Sequence, residues 1–327
     1  MSTSTHAIRI ERHGGPEVLQ WQEVALGEPG PGEVRVRHGA VGVNFIDIYH
    51  RSGLYPLQLP AGLGIEGAGT VEAVGEGVAQ WRVGDRVAYC SGPTGAYAQA
   101  RVVPAKVLVA LPEAIAFETA AAMMLKGLTA QFLLRRTRAL QPGDVALFHA
   151  AAGGVGLIAG QWARALGVRL IGTAGSDEKC RLALEHGYAH CINYATEDVV
   201  SRVRELTGGK GVAVVYDSVG RDTWERSLAC LQPFGLMVSF GNASGPVPPV
   251  TLSDLAAKGS LYVTRPTLMT HVADRAVLEQ MAGELFAMLQ SGRIVPRIGQ
   301  RFALHDAARA QSALESRSTT GSIVLQP

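Results

Sequence analysis

The stretch GDVALFHAAAGGVGLIAGQWAR, from Gly143 to Arg164, constrains this chain more than any other. Val145–Phe148 reads as a buried strand, Ala150–Gly156 as a tight turn, and Leu157–Leu166 as a helix stopped by Gly167. Small residues in such a turn let the backbone approach a diphosphate closely. The free N–H groups and positive end of the following helix then face its negative charges. The run departs from the GxGxxG pattern, because Ala151 stands where the first glycine would fall. On these residues alone a purely structural strand, turn and helix stays open.

Further βα units follow. Arg169–Thr173, His190–Ile192, Val212–Asp217 and Gly235–Phe240 read as short buried strands, separated by helical patterns at Asp177–His186, Glu197–Leu206 and Thr223–Leu231. Such alternation predicts a mostly parallel sheet with helices on both faces. A helix at Leu252–Ala257 and a strand at Ser260–Thr264 complete six strands. The preceding residues differ in texture, with Gly, Pro and Val spaced through strand candidates at Glu33–Val41, Gly69–Val74, Arg86–Cys90 and Tyr97–Val102. That pattern predicts a strongly bent sheet or partial barrel. Beyond the six-stranded region come helix candidates at Asp274–Leu289 and Leu304–Ser316 and a last strand, Gly321–Leu325. A last strand needs a sheet to join, and the middle domain is already complete. We therefore expect an α/β chain divided into residues 1–126, 127–265 and 266–327, the third segment returning to the first and leaving a cofactor cleft between two lobes.

Composition narrows the setting. With 327 residues, 47% apolar and 18% charged, the chain can bury a large core and is too long for one undivided domain. The formal charge of +2 is dispersed, and the basic RRTRAL run at Arg135–Leu140 is only local, so nucleic-acid binding is not expected. The opening MSTSTHAIRIERHGG has no apolar signal core and no later run is long enough to span a bilayer, so the expected location is the cytoplasm, without membrane attachment. Cys90, Cys180, Cys191 and Cys230 lack close metal-binding pairs and fit reduced thiols.

The Gly143–Arg164 segment, with Gly143, Asp144, Leu147, the small and glycine pairs, Val155, Gly156, Gln161 and Arg164, resembles the signature of the zinc-independent quinone oxidoreductase branch of the medium-chain dehydrogenase/reductase superfamily, which includes zeta-crystallin. VNFIDIYHRSGLYP, Val43–Pro56, is similar to the segment lining the nicotinamide and substrate cleft in that branch. The resemblance covers essentially the whole chain. It implies a Rossmann doubly wound parallel sheet inserted into a GroES-like catalytic domain, a homodimer, and NADPH-dependent reduction of quinones. In zinc-bearing relatives a cysteine and a GHE-like sequence supply ligands, whereas the corresponding positions here are Asn44 and Gly64–Ile65–Glu66. Glu66 and His50 lack a convincing third partner, so no metal is expected.

Cofactors without a ribose phosphate are often held by an acidic residue roughly 20 positions past the glycine turn. That count from Gly154 reaches Ala174, in GTAGSDEKCR. Ser176 and Lys179, with Arg181 as a further cation, suit a 2′-phosphate and hence NADPH, although Lys179 also reads as an exposed helix residue. By resemblance, Asn44 lies near the nicotinamide ribose, Thr129 near the nicotinamide-side phosphate and Tyr194 near the adenine-side phosphate. Ser218, Phe240, Gly241 and Thr264 lie at strand ends, and Arg317 reaches a phosphate. Gly153, Gly154, Val155 and Gly156 form the diphosphate turn. Asn44, Asp47, Tyr49 and Tyr55 are the candidates for lining the reaction site, a tyrosine donating to the quinone oxygen and Asp47 orienting a neighbouring group. Against these stand plainer readings: Tyr194 packs a loop, Phe240 the core, Thr129 stabilises a helix, Tyr49 packs its lobe and Asp47 caps backbone. An alkenal or enone double-bond reductase, and a non-catalytic NADPH-binding crystallin-like or RNA-interacting protein, are the alternative functions.

Overall fold

The computed structural model describes residues 3–316 and 319–327. These form two compact units. One comprises the chain through Leu128 with Val272–Ser291 and Pro296–Pro327, the other Thr129–His271 with Gly292–Val295.

The first unit is built on one long strand, Glu33–Val43, which pairs antiparallel with Gly67–Val74, Ala100–Pro104 and Ser322–Gln326. Its register shifts at Arg35/Val36 and again at His38/Ala40. Such bulges bend and twist a strand, and the bent strand serves several partners. Its inward-facing residues, Val34, Val36, Val41 and Val43, meet Val71, Val87, Tyr89, Tyr97 and Leu108 in the core. The expected return of the last strand occurs: Ile323, Val324 and Leu325 pair with Val43, Gly42 and Val41. The strand expected at Tyr97–Val102 runs instead over Ala100–Pro104. The preceding Ala96–Gln99 backbone bonds to Leu63, Ile8 and His6 outside that ladder.

The second unit is a six-stranded sheet in the order His190–Asn193, Arg169–Ala174, Val145–Phe148, Val212–Asp217, Leu231–Ser239, Tyr262–Thr264, with every neighbouring pair parallel. Strands buried on both faces favour continuous apolar runs, as in VALF and VAVVY. The strand order reverses between Val145–Phe148 and Val212–Asp217. This is the switch point at which open parallel sheets receive ligands, beyond the strands' C-terminal ends.

Candidate active site

At the switch point, the chain leaves the Val145–Phe148 strand through buried His149 and then Ala150, whose φ of 55° is left-handed. Gly153 donates its N–H to Ala150 O at 3.0 Å and precedes the helix Gly154–Ala165, which has no side-chain cap. The N–H groups of Gly154, Val155 and Gly156 belong to the first turn and have no partner within the helix, so they form a donor cradle at its positive end. Gly156 is sterically required: a Cβ there would lie 2.5 Å from both Ala150 O and Ala151 O.

The Arg169–Ala174 strand opens into a second polar corner. Ser176 caps the helix Asp177–Glu185, its Oγ accepting from Lys179 N at 3.3 Å. The Tyr194 hydroxyl lies over Gly175, 2.6 Å from where a Cβ would stand. Ser176, Tyr194 and the first helical turn carrying Lys179 are thus brought together. The nearby carboxylate of Asp177 is occupied, accepting from Asn193 Nδ2 at 2.7 Å, and Arg181 sits 3.9 Å from Glu185. A corner with a hydroxyl, a phenol and a lysine, the Asp177 carboxylate engaged by Asn193, suits a phosphorylated ribose. On the other side of the switch point, Gly241 passes so close to Ser218 that a Cβ would lie 2.5 Å from Ser218 O. Phe240 donates its N–H to Asp217 O and packs its ring 5.7 Å from that of Phe148, and Thr264 ends the edge strand. Thr129 is buried on the helix Phe117–Phe132, away from this group in sequence, and Arg317 lies outside the described residues.

In the first unit, Asn44 begins the helix Phe45–Ser52, which ends at Gly53 with φ 83°. Asn44 N donates to Asp47 Oδ2 at 2.9 Å, and Asn44 Nδ2 donates to Glu66 Oε2 at 2.7 Å. Glu66 also accepts from Leu125 N at 2.7 Å and lies 3.5 Å from Lys126 Nζ, which itself donates to Val43 O. Burial raises the Glu66 carboxyl above its usual range, partly offset by Lys126. Gly42 has no side chain where Glu66 and Ala121 O approach. Asp47 is wholly buried, accepts from the Tyr97 hydroxyl at 2.8 Å, and has Oδ1 without a partner. Burial pushes its carboxyl up to about 7, against the opposing pull of the Asn44 and Tyr97 hydrogen bonds. Tyr97 leads through Gln311 to buried Arg51, which binds Glu315 at 2.7 Å. Tyr49 and Tyr55 meet edge to face with ring centroids 5.1 Å apart.

Asn44 and Asp47 therefore share one turn, and Tyr49 and Tyr55 form a ring pair. Asp47 is engaged in capping backbone. Glu66, Lys126 and Tyr97 complete the cluster, and sequence reasoning considered only Glu66 among them, as a metal ligand. Lys126 left a signal, being the only charge in the run TAAAMMLKGLTAQF. The Glu66 oxygens are taken by Asn44, Leu125 and Lys126. Among the described residues no group of three or more His, Cys, Asp or Glu side chains is arranged to hold a metal ion.

A parallel sheet with a glycine cradle at its switch point, carried in one chain with a bent antiparallel unit, defines a dehydrogenase/reductase of the medium-chain class. Two family models match, the alcohol dehydrogenase GroES-like domain over residues 30–113 and the zinc-binding dehydrogenase over residues 154–282. A quinone oxidoreductase of Pseudomonas aeruginosa is 59% identical over 321 residues, spanning 98% of this chain and 99% of its own. The crystal structure of an Escherichia coli quinone oxidoreductase complexed with NADPH superposes with a TM-score of 0.97 at 53% identity, covering 98% of this chain and 100% of that one. A 2-haloacrylate reductase from Burkholderia is 45% identical, with 98% of each chain covered. The chain belongs to the zeta-crystallin-like quinone oxidoreductase branch of the medium-chain dehydrogenase/reductase superfamily.

Proposed function

We propose that this chain is an NADPH-dependent quinone reductase that works without metal, with residues 127–265 as the cofactor-binding domain and 1–126 and 266–327 as the catalytic domain. The reading is carried by the identity of 59% with a quinone oxidoreductase across nearly the full length of both chains. The cradle at Gly153, Gly154, Val155 and Gly156 fits a diphosphate, because its first-turn amides have no partner within the helix and Gly156 lets the turn close tightly beneath them. Ser176 and Lys179 hold the 2′-phosphate, and Tyr194 lies near the adenine-side phosphate. Ser218, Phe240, Gly241 and Thr264 line the strand ends along the cofactor, Thr129 serves the nicotinamide-side phosphate, and Asn44, fixed by Glu66, orients the nicotinamide ribose.

Bound NADPH supplies the hydride. The chain's own part is orientation and charge stabilisation. Tyr49 or Tyr55 donates a hydrogen bond as negative charge grows on the quinone oxygen. Asp47 acts indirectly, holding the turn from which Asn44 projects. Two copies join through the edge strand Tyr262–Thr264, where Tyr262 and Val263 are 61% and 40% exposed. Four cysteines without disulfides support a cytoplasmic location. Among the described residues no helix is long and apolar enough to cross a membrane.

The similarity to a 2-haloacrylate reductase makes carbon–carbon double-bond reduction the competing activity. Initial rates of NADPH oxidation with 1,4-benzoquinone, 1,2-naphthoquinone, simple enones and 2-chloroacrylate, with product identification, separate the two. Quinones should give the highest kcat/KM. A higher value for the enones or the haloacrylate would transfer the assignment to double-bond reduction.

A further inference from the structure

Behind the glycine cradle the second unit buries four polar side chains in one chain of contacts. His149, Thr173, Ser227 and Asp217 are each no more than 1% exposed. Ser227 Oγ donates to Asp217 Oδ2 at 2.8 Å, while Asp217 Oδ1 accepts from the N–H groups of Val219 and Gly220 at 2.7 and 3.0 Å. The Ser227 proton is thus committed to Asp217. Ser227 Oγ, 2.9 Å from His149 Nε2, must accept from it, which places a proton on Nε2. Burial lowers the His149 pKa and favours the neutral ring, despite the opposing charge of Asp217. Nδ1 is then an acceptor, and Thr173 Oγ1, 2.8 Å away, donates to it. Every hydrogen bond in the chain has one allowed direction.

The chain ties together the exits of three strands: Val145–Phe148, Arg169–Ala174 and Val212–Asp217. His149 immediately precedes Ala150, the residue of the turn with left-handed backbone, and its own N–H donates to Tyr216 O. Thr173 O accepts from Ala151 N at 3.0 Å, so the same threonine also holds the first half of the turn through its backbone. We propose that Asp217, Ser227, His149 and Thr173 form a one-way hydrogen-bond relay that positions the turn Ala150–Gly156 for a diphosphate, with His149 as the Nε2–H tautomer. None of the four is a catalytic residue; each acts through the turn. The inference rests on the reading that this unit binds NADPH.

The relay has a directional consequence. In Asp217→Asn the amide oxygen stays on the Val219 and Gly220 N–H groups, and the new NH2 faces Ser227. Ser227 must then donate to His149 Nε2, and the imidazole proton moves to Nδ1, facing Thr173. Long-range 1H–15N spectra of the labelled protein read the tautomer directly. The parent should show protonated Nε2 and bare Nδ1, and Asp217→Asn the reverse. In parallel, fluorescence titration should show NADPH bound about tenfold more weakly by Asp217→Asn and by Ser227→Ala, as expected for a displaced hydrogen-bonding cradle. The affinity for 2′-AMP, which lacks the diphosphate, should hold steady. A parent with protonated Nδ1, an unchanged tautomer in Asp217→Asn, or equal losses for NADPH and 2′-AMP would overturn the proposal. If the tautomer switches in Asp217→Asn as stated but the parent binds no NADPH, the cofactor reading and with it the turn's role fail, and only the relay's direction stands.

Discussion

Gly156→Ala probes the cradle with the smallest possible change. The added methyl would meet Ala150 O and Ala151 O at 2.5 Å and Ala151 C at 2.7 Å, all of them backbone atoms that no rotamer change can move aside. Reaching ordinary contact requires the turn to open by about 0.9 Å at both carbonyls. Overpacking of this kind costs about 1–3 kcal/mol of stability. The displaced amides would also lose charge-assisted bonds to a diphosphate, each worth about 1.5–3 kcal/mol, so the NADPH dissociation constant should rise about ten- to a hundredfold. Fluorescence titration measures that constant, and calorimetry the stability. Gly283→Ala is the matched control, since its Cβ would meet nothing within 4 Å and it lies in the helix Arg275–Gln290. There the exchange should stabilise by about 0.5–1 kcal/mol and leave NADPH binding unchanged. If Gly156→Ala bound NADPH within about twofold of the parent, the cradle argument would be refuted.

Three other perturbations follow from the same structure. Lys179→Ala should raise KM for NADPH much more than for NADH, and equal changes would remove Lys179 from the 2′-phosphate site. Asp47 is raised from 3.8 to about 7 by burial, so its contribution to stability is fully present below the unfolded value and is lost as pH rises through the folded one. Comparing parent with Asp47→Asn by denaturant unfolding across that window should reveal a fall in stability on the order of 4 kcal/mol in the parent that the variant lacks, and parallel curves would contradict it. Val263→Pro, at the exposed edge strand, should convert a sedimenting dimer to a folded monomer. An active parent monomer at micromolar concentration would overturn the edge-to-edge assembly.

The parallel sheet was legible because its strands are short apolar runs with glycine punctuation. Val145–Phe148 and Val212–Asp217 were bounded correctly from sequence for that reason. The next strand begins at Leu231, four residues earlier than expected, since Leu231 pairs with Val212 across a register shift. Pro233 and the left-handed Phe234 concealed that segment as a turn. The helix Phe117–Phe132 is hard to read from sequence because its residues are apolar nearly all round, leaving little 3.6-residue contrast. In the candidate site, Asn44 and Asp47 could be named from their segment. Arg51 binding Gln311, and Glu66 binding Asn44, are contacts between distant parts of the chain that no local pattern encodes. The bent strand Glu33–Val43 and its return partner Ser322–Gln326 bring such residues into one unit.

The most direct test is a turnover measurement on protein freed of metal by prolonged dialysis against chelator. NADPH loss and hydroquinone formation are followed together with 1,2-naphthoquinone as acceptor, and bound zinc is determined on the same sample. Turnover should be undiminished with far less than one equivalent of zinc, and NADPH favoured over NADH in kcat/KM. Turnover that requires stoichiometric zinc, or tight NADPH binding with no oxidation by any quinone, would contradict it.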